Sequence, residues 1–210
     1  MTHVALLGDS IFDNAAYVGG GLPLIEQLRS KLPQGWRATL LAVDGSMTQD
    51  VHRQLDRVSM DASHLVVSAG GNNALDHVNI LSENARSAAE VLAKLAAISE
   101  QFQQVYHEML QAVLAFKLPT AVCTVYYPNL PDPELQRVAT AALTIFNDVI
   151  IRQAFAAGVP LIDLRLVCSE AKDYANEIEP SVAGGEKITD AILRLVQEHD
   201  FASGYTQVFR

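Results

Sequence analysis

The chain has 210 residues, enough for one domain with a sizeable core, and half of them are hydrophobic against 19% charged, which excludes a disordered polymer. A net charge of -9 has the wrong sign for a nucleic-acid or anionic-membrane surface, since both require a basic footprint. No basic leader runs into a long apolar segment, so neither a signal peptide nor a membrane span is expected, and Cys123 and Cys168 at no metal or disulfide spacing point to a reducing cytoplasm.

Val4 to Leu7 is a short apolar run that stops at Gly8-Asp9-Ser10, a buried strand feeding a tight loop. Apolar residues at helical spacing follow from Leu22 to Leu32, ahead of Pro33. Arg37 to Val43 reads as a second strand, broken by Asp44-Gly45-Ser46, with a helix after it through about Val58 capped by Ser46 or Thr48. The third strand, His64 to Ala69, ends in Gly70-Gly71-Asn72-Asn73. Glu83 to Lys117 is helical, Thr120 to Val125 is strand four, and Glu134 to Ala157 is a helix stopped by Gly158. Strand five runs from Val159 to Leu164, a loop continues to Pro180, and Gly185 to Glu198 is the last helix.

Five strands alternating with helices imply parallel pairing through right-handed crossovers in a three-layer α/β/α sandwich, read as a single unit over residues 1–210. In such sheets ligands bind outside the carboxyl ends of the strands, where Ser10, Gly45, Asn72 and the loop from Leu164 to Pro180 all fall. A serine just past a strand, at the start of a helix, exposes Oγ beside backbone N–H groups that favour negative charge. Gly45 adds an unobstructed N–H, and Asn72 adds a neutral amide donor. Singly, these residues suit a cap and two turns; together on one edge they form an acyl-transfer site.

The blocks Gly8-Asp9-Ser10-Ile11-Phe12-Asp13-Asn14, Gly45, and Gly70-Gly71-Asn72-Asn73 resemble the first three blocks of the GDSL, or SGNH, hydrolases, with Asn73 where an aspartate is usual. The resemblance covers nearly the whole chain. It implies a flavodoxin-like five-stranded parallel sheet of order 2-1-3-4-5 and hydrolysis of esters or thioesters with no metal or organic cofactor. It also implies Ser10 as nucleophile, with the Ser10 and Gly45 N–H groups and the Asn72 side chain as oxyanion hole.

The family's last block, Asp-x-x-His before a proline, is missing. The chain reads Asn176-Glu177-Ile178-Glu179-Pro180, which puts Asn176 at the aspartate position and Glu179 at the histidine position. A serine hydroxyl needs a base, and a solvated carboxylate with a pKa of ~4.3 is a poor one. Burial against Ile178 and Pro180 is therefore required if Glu179 is to act, with Asn176 orienting it. Asp9, Asn73, His77 and Tyr126 are further candidates for the cleft wall, and His77 is the one histidine placed to reach it. Two readings follow: a serine hydrolase of small esters, thioesters or acetylated substrates, or a hydrolase-like module that holds a carbonyl or carboxylate ligand without turnover. The partner is a small molecule in either case, and no motif specifies an oligomeric state.

Overall fold

A computed structural model describes all residues 1–210. One parallel sheet of six strands runs in the order β2-β1-β3-β4-β5-β6, built from β1 (His3–Gly8), β2 (Arg37–Leu40), β3 (His64–Ser68), β4 (Thr120–Cys123), β5 (Leu161–Ile162) and β6 (Val208–Phe209). The expected order holds, and β6 is an added edge strand. It pairs only Leu161 with Val208 and Ile162 with Phe209, too short a run after a polar segment to leave a periodic signal.

Both faces of the sheet are covered, which is why the strands read as unbroken apolar runs. Along β1, Val4 and Leu6 pack with α1 (Leu24–Lys31) and α7 (Val182–Glu198), whereas Ala5 and Leu7 face α2 (Val51–Leu55), α4 (Ala88–Leu114) and α5 (Pro133–Ala157). The long helices begin where side chains can take up their free N–H groups. Ser87 caps α4, Ser181 caps α7, and Asp132 caps α5 ahead of Pro133. Gly158 ends α5 in the left-handed conformation, at φ 65°. By length and composition α5 is apolar enough to cross a membrane; here its Phe146, Val149 and Ile150 face is buried in the core.

Three expectations are corrected. The helix expected from Glu83 starts at Ala88, and the stretch ahead of it folds as α3 (Gly71–Asp76) and a 3₁₀ turn (Val78–Ser82). The fifth strand is cut to two residues because Asp163 bonds Thr124 Oγ and caps α6 (Leu164–Val167). No helix starts at Ser10: Asp13 N–H bonds Asp9 C=O, closing one turn, and α1 begins only at Leu24.

Candidate active site

Ser10 sits in that single turn at the carboxyl end of β1. Gly8 immediately before it has φ +127°, and a Cβ there would lie 1.7 Å from Ser68 C=O on β3. Only glycine lets β1 and β3 approach this closely.

One buried side chain ties the loops together. Gln54 on α2 accepts from Gly8 N–H at 2.7 Å and donates through Nε2 to Gly8 C=O at 2.8 Å and to Ser46 Oγ at 3.3 Å. Asn72 in the first turn of α3 then donates Nδ2 to Ser46 C=O at 2.9 Å, while Val43 N–H bonds Gly8 C=O. The serine, glycine and asparagine loops thus converge as the sequence requires. Around this convergence three donors are uncommitted: Ser10 N–H, Gly45 N–H and the second Asn72 Nδ2 hydrogen make no hydrogen bond within the protein. Gly45 has φ +77° in an exposed turn, with nothing within 4 Å of where a Cβ would lie.

Glu179 arrives from the opposite side on the loop between α6 and α7. Its residue surface is only 6% exposed. Its carboxyl faces Ser10, whose hydroxyl favours the ionised form, although no bond between them closes to full hydrogen-bond geometry and Glu179 Oε2 has no partner. The backbone around Glu179 is firmly held. Asn176 Oδ1 accepts from the N–H groups of Ile178 and Glu179, each at 2.9 Å; Ala175 N–H bonds Glu179 C=O; and Asn14 Nδ2 reaches Pro180 C=O at 3.3 Å. Asn176 therefore grips the main chain of Glu179 instead of its carboxylate, which corrects the expectation that it orients the side chain directly.

Burial is the main influence on both carboxyls of the site. It raises Glu179 to about 7, helped by the charge of Asp44 and opposed by the Ser10 hydroxyl. It raises Asp9 to about 7 as well, opposed by the Ile11 N–H and reinforced by the charge of Glu179. At the exposed rim Tyr17 donates to Asp44 Oδ2 at 2.7 Å, and Asp13 accepts from Asp44 N–H at 3.0 Å. Burial also pushes the Cys168 thiol up to about 12, which leaves it inert as a nucleophile at neutral pH.

A family model for the GDSL-like lipase/acylhydrolase family matches residues 6–186. The chain belongs to this family. A lipase/acylhydrolase from Enterococcus faecalis aligns with a TM-score of 0.67 at 17% identity, over 94% of this chain and 96% of its own. The extracellular lipase of Streptomyces rimosus gives 0.64 at 18%, over 89% and 96%, and an acetyl xylan esterase 0.65 at 14%, over 92% and 99%. No curated protein matches. At the level the family defines, this GDSL-like chain is an ester hydrolase.

The remaining expected cleft residues divide. Asp9, His77 and Tyr126 line the same cavity as Ser10, Asn72 and Glu179. His77 follows α3, with its ring 6.5 Å from that of Phe146. Tyr126 turns its ring to the cavity and donates its hydroxyl to Ile178 C=O at 2.6 Å, fixing the residue before Glu179. Asn73 is not in the cavity wall: its Oδ1 accepts from Thr48 N–H and Oγ, pinning α3 to the loop after β2. Sequence reasoning missed Gln54. Its signal was present, a polar residue on the apolar face that Val51 and Leu55 define at helical spacing.

Proposed function

We propose that this GDSL-like hydrolase cleaves small esters, thioesters or acetylated substrates through an acyl-Ser10 intermediate, with Glu179 as the base that histidine usually supplies. The observation that carries the reading is the meeting of Ser10, Asn72 and Glu179 in one cavity, with the Ser10 N–H and the second Asn72 Nδ2 hydrogen uncommitted and the Glu179 carboxyl titrating at about 7. The Gly45 N–H is also free, in the exposed turn next to Ser46 and outside the cavity wall. Glu179 carboxylate takes the Ser10 proton as Oγ bonds to the substrate carbonyl carbon. Ser10 N–H, Gly45 N–H and Asn72 Nδ2 hold the resulting oxyanion. Neutral Glu179 then returns the proton to the departing oxygen or sulfur as its bond to carbon breaks. Water repeats the cycle against the acyl-serine, losing a proton to Glu179, which passes it back to Ser10 Oγ.

This chemistry accounts for the joint departure from Asp-x-x-His. An imidazole base becomes a cation and benefits from a buried carboxylate partner, whereas a carboxylate base becomes neutral and needs none. Asn176 is then free to serve the backbone. A pKa near the working pH is what a general base requires, and burial supplies it.

The test is hydrolysis of p-nitrophenyl acetate and butyrate by wild type, Ser10→Ala, Glu179→Gln and His77→Asn. Turnover lost in the first two variants and kept in the third supports the reading. Equal background rates in all four proteins would leave a ligand-holding module, and activity lost in His77→Asn but kept in Glu179→Gln would move the base to the histidine.

A further inference from the structure

The cavity beside Ser10 has a volume of about 140 Å³ and two unlike ends. Asp9, Ser10, Asn72 and Glu179 lie at the reacting end. Away from them the wall is apolar, formed by Leu75 and Ile80 after β3, Ile98 on α4, and Ala142, Leu143 and Phe146 on α5. The one polar ring along this stretch is His77, no lysine or arginine reaches it, and the Tyr126 hydroxyl is already engaged by Ile178. An ionised chain would find no counter-charge there. An acetyl group would leave most of the space unfilled.

Glu179 must hand its proton to the leaving group, so that group belongs on the open side, where Tyr17, Asp13 and Asp44 form a polar rim. The apolar space is left for the acyl chain. An apolar cavity of about 150 Å³ accepts a benzene-sized molecule of about six carbons, which sets the scale for a chain here.

Resting on the hydrolase reading above, we infer that the substrate is an ester or thioester of an uncharged medium-chain acid of about six carbons, its chain lying between α3, α4 and α5, and that Ala142 and Leu143 set its length.

Two measurements separate this from the hydrolase reading. The first is kcat/KM on p-nitrophenyl acetate, butyrate, hexanoate, octanoate and dodecanoate. Burying a methylene is worth about fourfold, so hexanoate should exceed acetate by on the order of 100-fold, with no further gain at dodecanoate. Ala142→Phe fills the space from a half-buried helix position; it should cut hexanoate turnover at least about tenfold and leave acetate within about twofold. Leu143→Ala opens the space and should move the optimum to octanoate, which keeps the claim testable if Ala142→Phe folds poorly. A flat chain-length profile, or equal loss on acetate and hexanoate in Ala142→Phe together with an unmoved optimum in Leu143→Ala, overturns the inference. The second measurement is calorimetric binding of the same esters to Ser10→Ala. Affinity that rises from acetate to hexanoate and then levels supports the pocket even if wild type turns nothing over, a result that would sink only the hydrolase reading. Affinity independent of chain length counts against the pocket.

Discussion

The two sides of the site are built in different ways. The side that carries Ser10 and Asn72 comes from strand ends. Gly8 is locked against Ser68 by φ and by close approach, and the Gln54 amide clamps Gly8 to Ser46 and, through it, to Asn72. The side that carries Glu179 hangs from a loop between α6 and α7, held by the Asn176 turn, the Tyr126 hydroxyl and the reach of Asn14 to Pro180. Donors supplied by backbone depend on the fold and resist change. A side chain offered by a loop can be exchanged provided its main chain stays put, and that is the exchange proposed above for Glu179.

The sharpest break in this contrast is Ser10→Ala, expected to lower kcat/KM by at least about 1,000-fold in ester hydrolysis, since a nucleophile acts as a unit with its base. Glu179→Gln keeps size and loses basicity, and a drop of about 10² to 10⁴ is expected from loss of general-base catalysis. Asn72→Ala removes one oxyanion donor and should cost about 10²- to 10³-fold in kcat with little change in KM. A loss below about fivefold would show that Asn72 serves only its bond to Ser46.

The same carboxyls set a cost in stability. Glu179 and Asp9 are both raised to about 7, above the values of an unfolded chain. The folded protein therefore binds more protons than the unfolded chain between about pH 4 and 7, so stability falls as pH rises through that window and levels off above it. Glu179→Gln should accordingly be more stable than wild type at pH 8, by about 2–3 kcal/mol or roughly 5–10 °C in melting temperature, and show no gain at pH 4. A variant destabilised at pH 8 would mean that the carboxylate is held by partners instead of being stranded by burial.

Tyr126→Phe tests the loop side alone, with the smallest expected effect. It strips the donor from Ile178 C=O and should cost about 1–3 kcal/mol of stability and roughly tenfold in kcat by loosening Glu179, while Ser10 still reacts with a small acylating agent. An unchanged kcat would mean that Asn176 and Asn14 suffice to hold the loop.

How much of this was readable from sequence follows the same division. Glycines at strand ends mark backbone that must turn sharply, so the meeting of the Ser10, Gly45 and Asn72 loops at one sheet edge was legible, whereas the strand order came from the family resemblance, because alternating elements and crossover handedness leave several orders open. Glu179 was legible as a position, through the proline after it, but its burial was a requirement and not an observation. Residues 71–82 were opaque because α3 and its 3₁₀ turn are shorter than a helical period can reveal, and they form much of the apolar pocket. Asn176 misled because spacing gives proximity in the chain, while an asparagine in a loop bonds its own backbone two and three residues on.

The claim that a carboxylate has taken over the activation of Ser10 is met most directly by the rate at which a fluorophosphonate labels that serine, followed by mass spectrometry from pH 5 to 9 in wild type and Glu179→Gln. In wild type the rate should climb with pH and level off, with a midpoint at about 7, and in Glu179→Gln it should be slower by about 100-fold or more with that midpoint gone. Equal rates in the two proteins, or the same midpoint surviving in the glutamine variant, would contradict it.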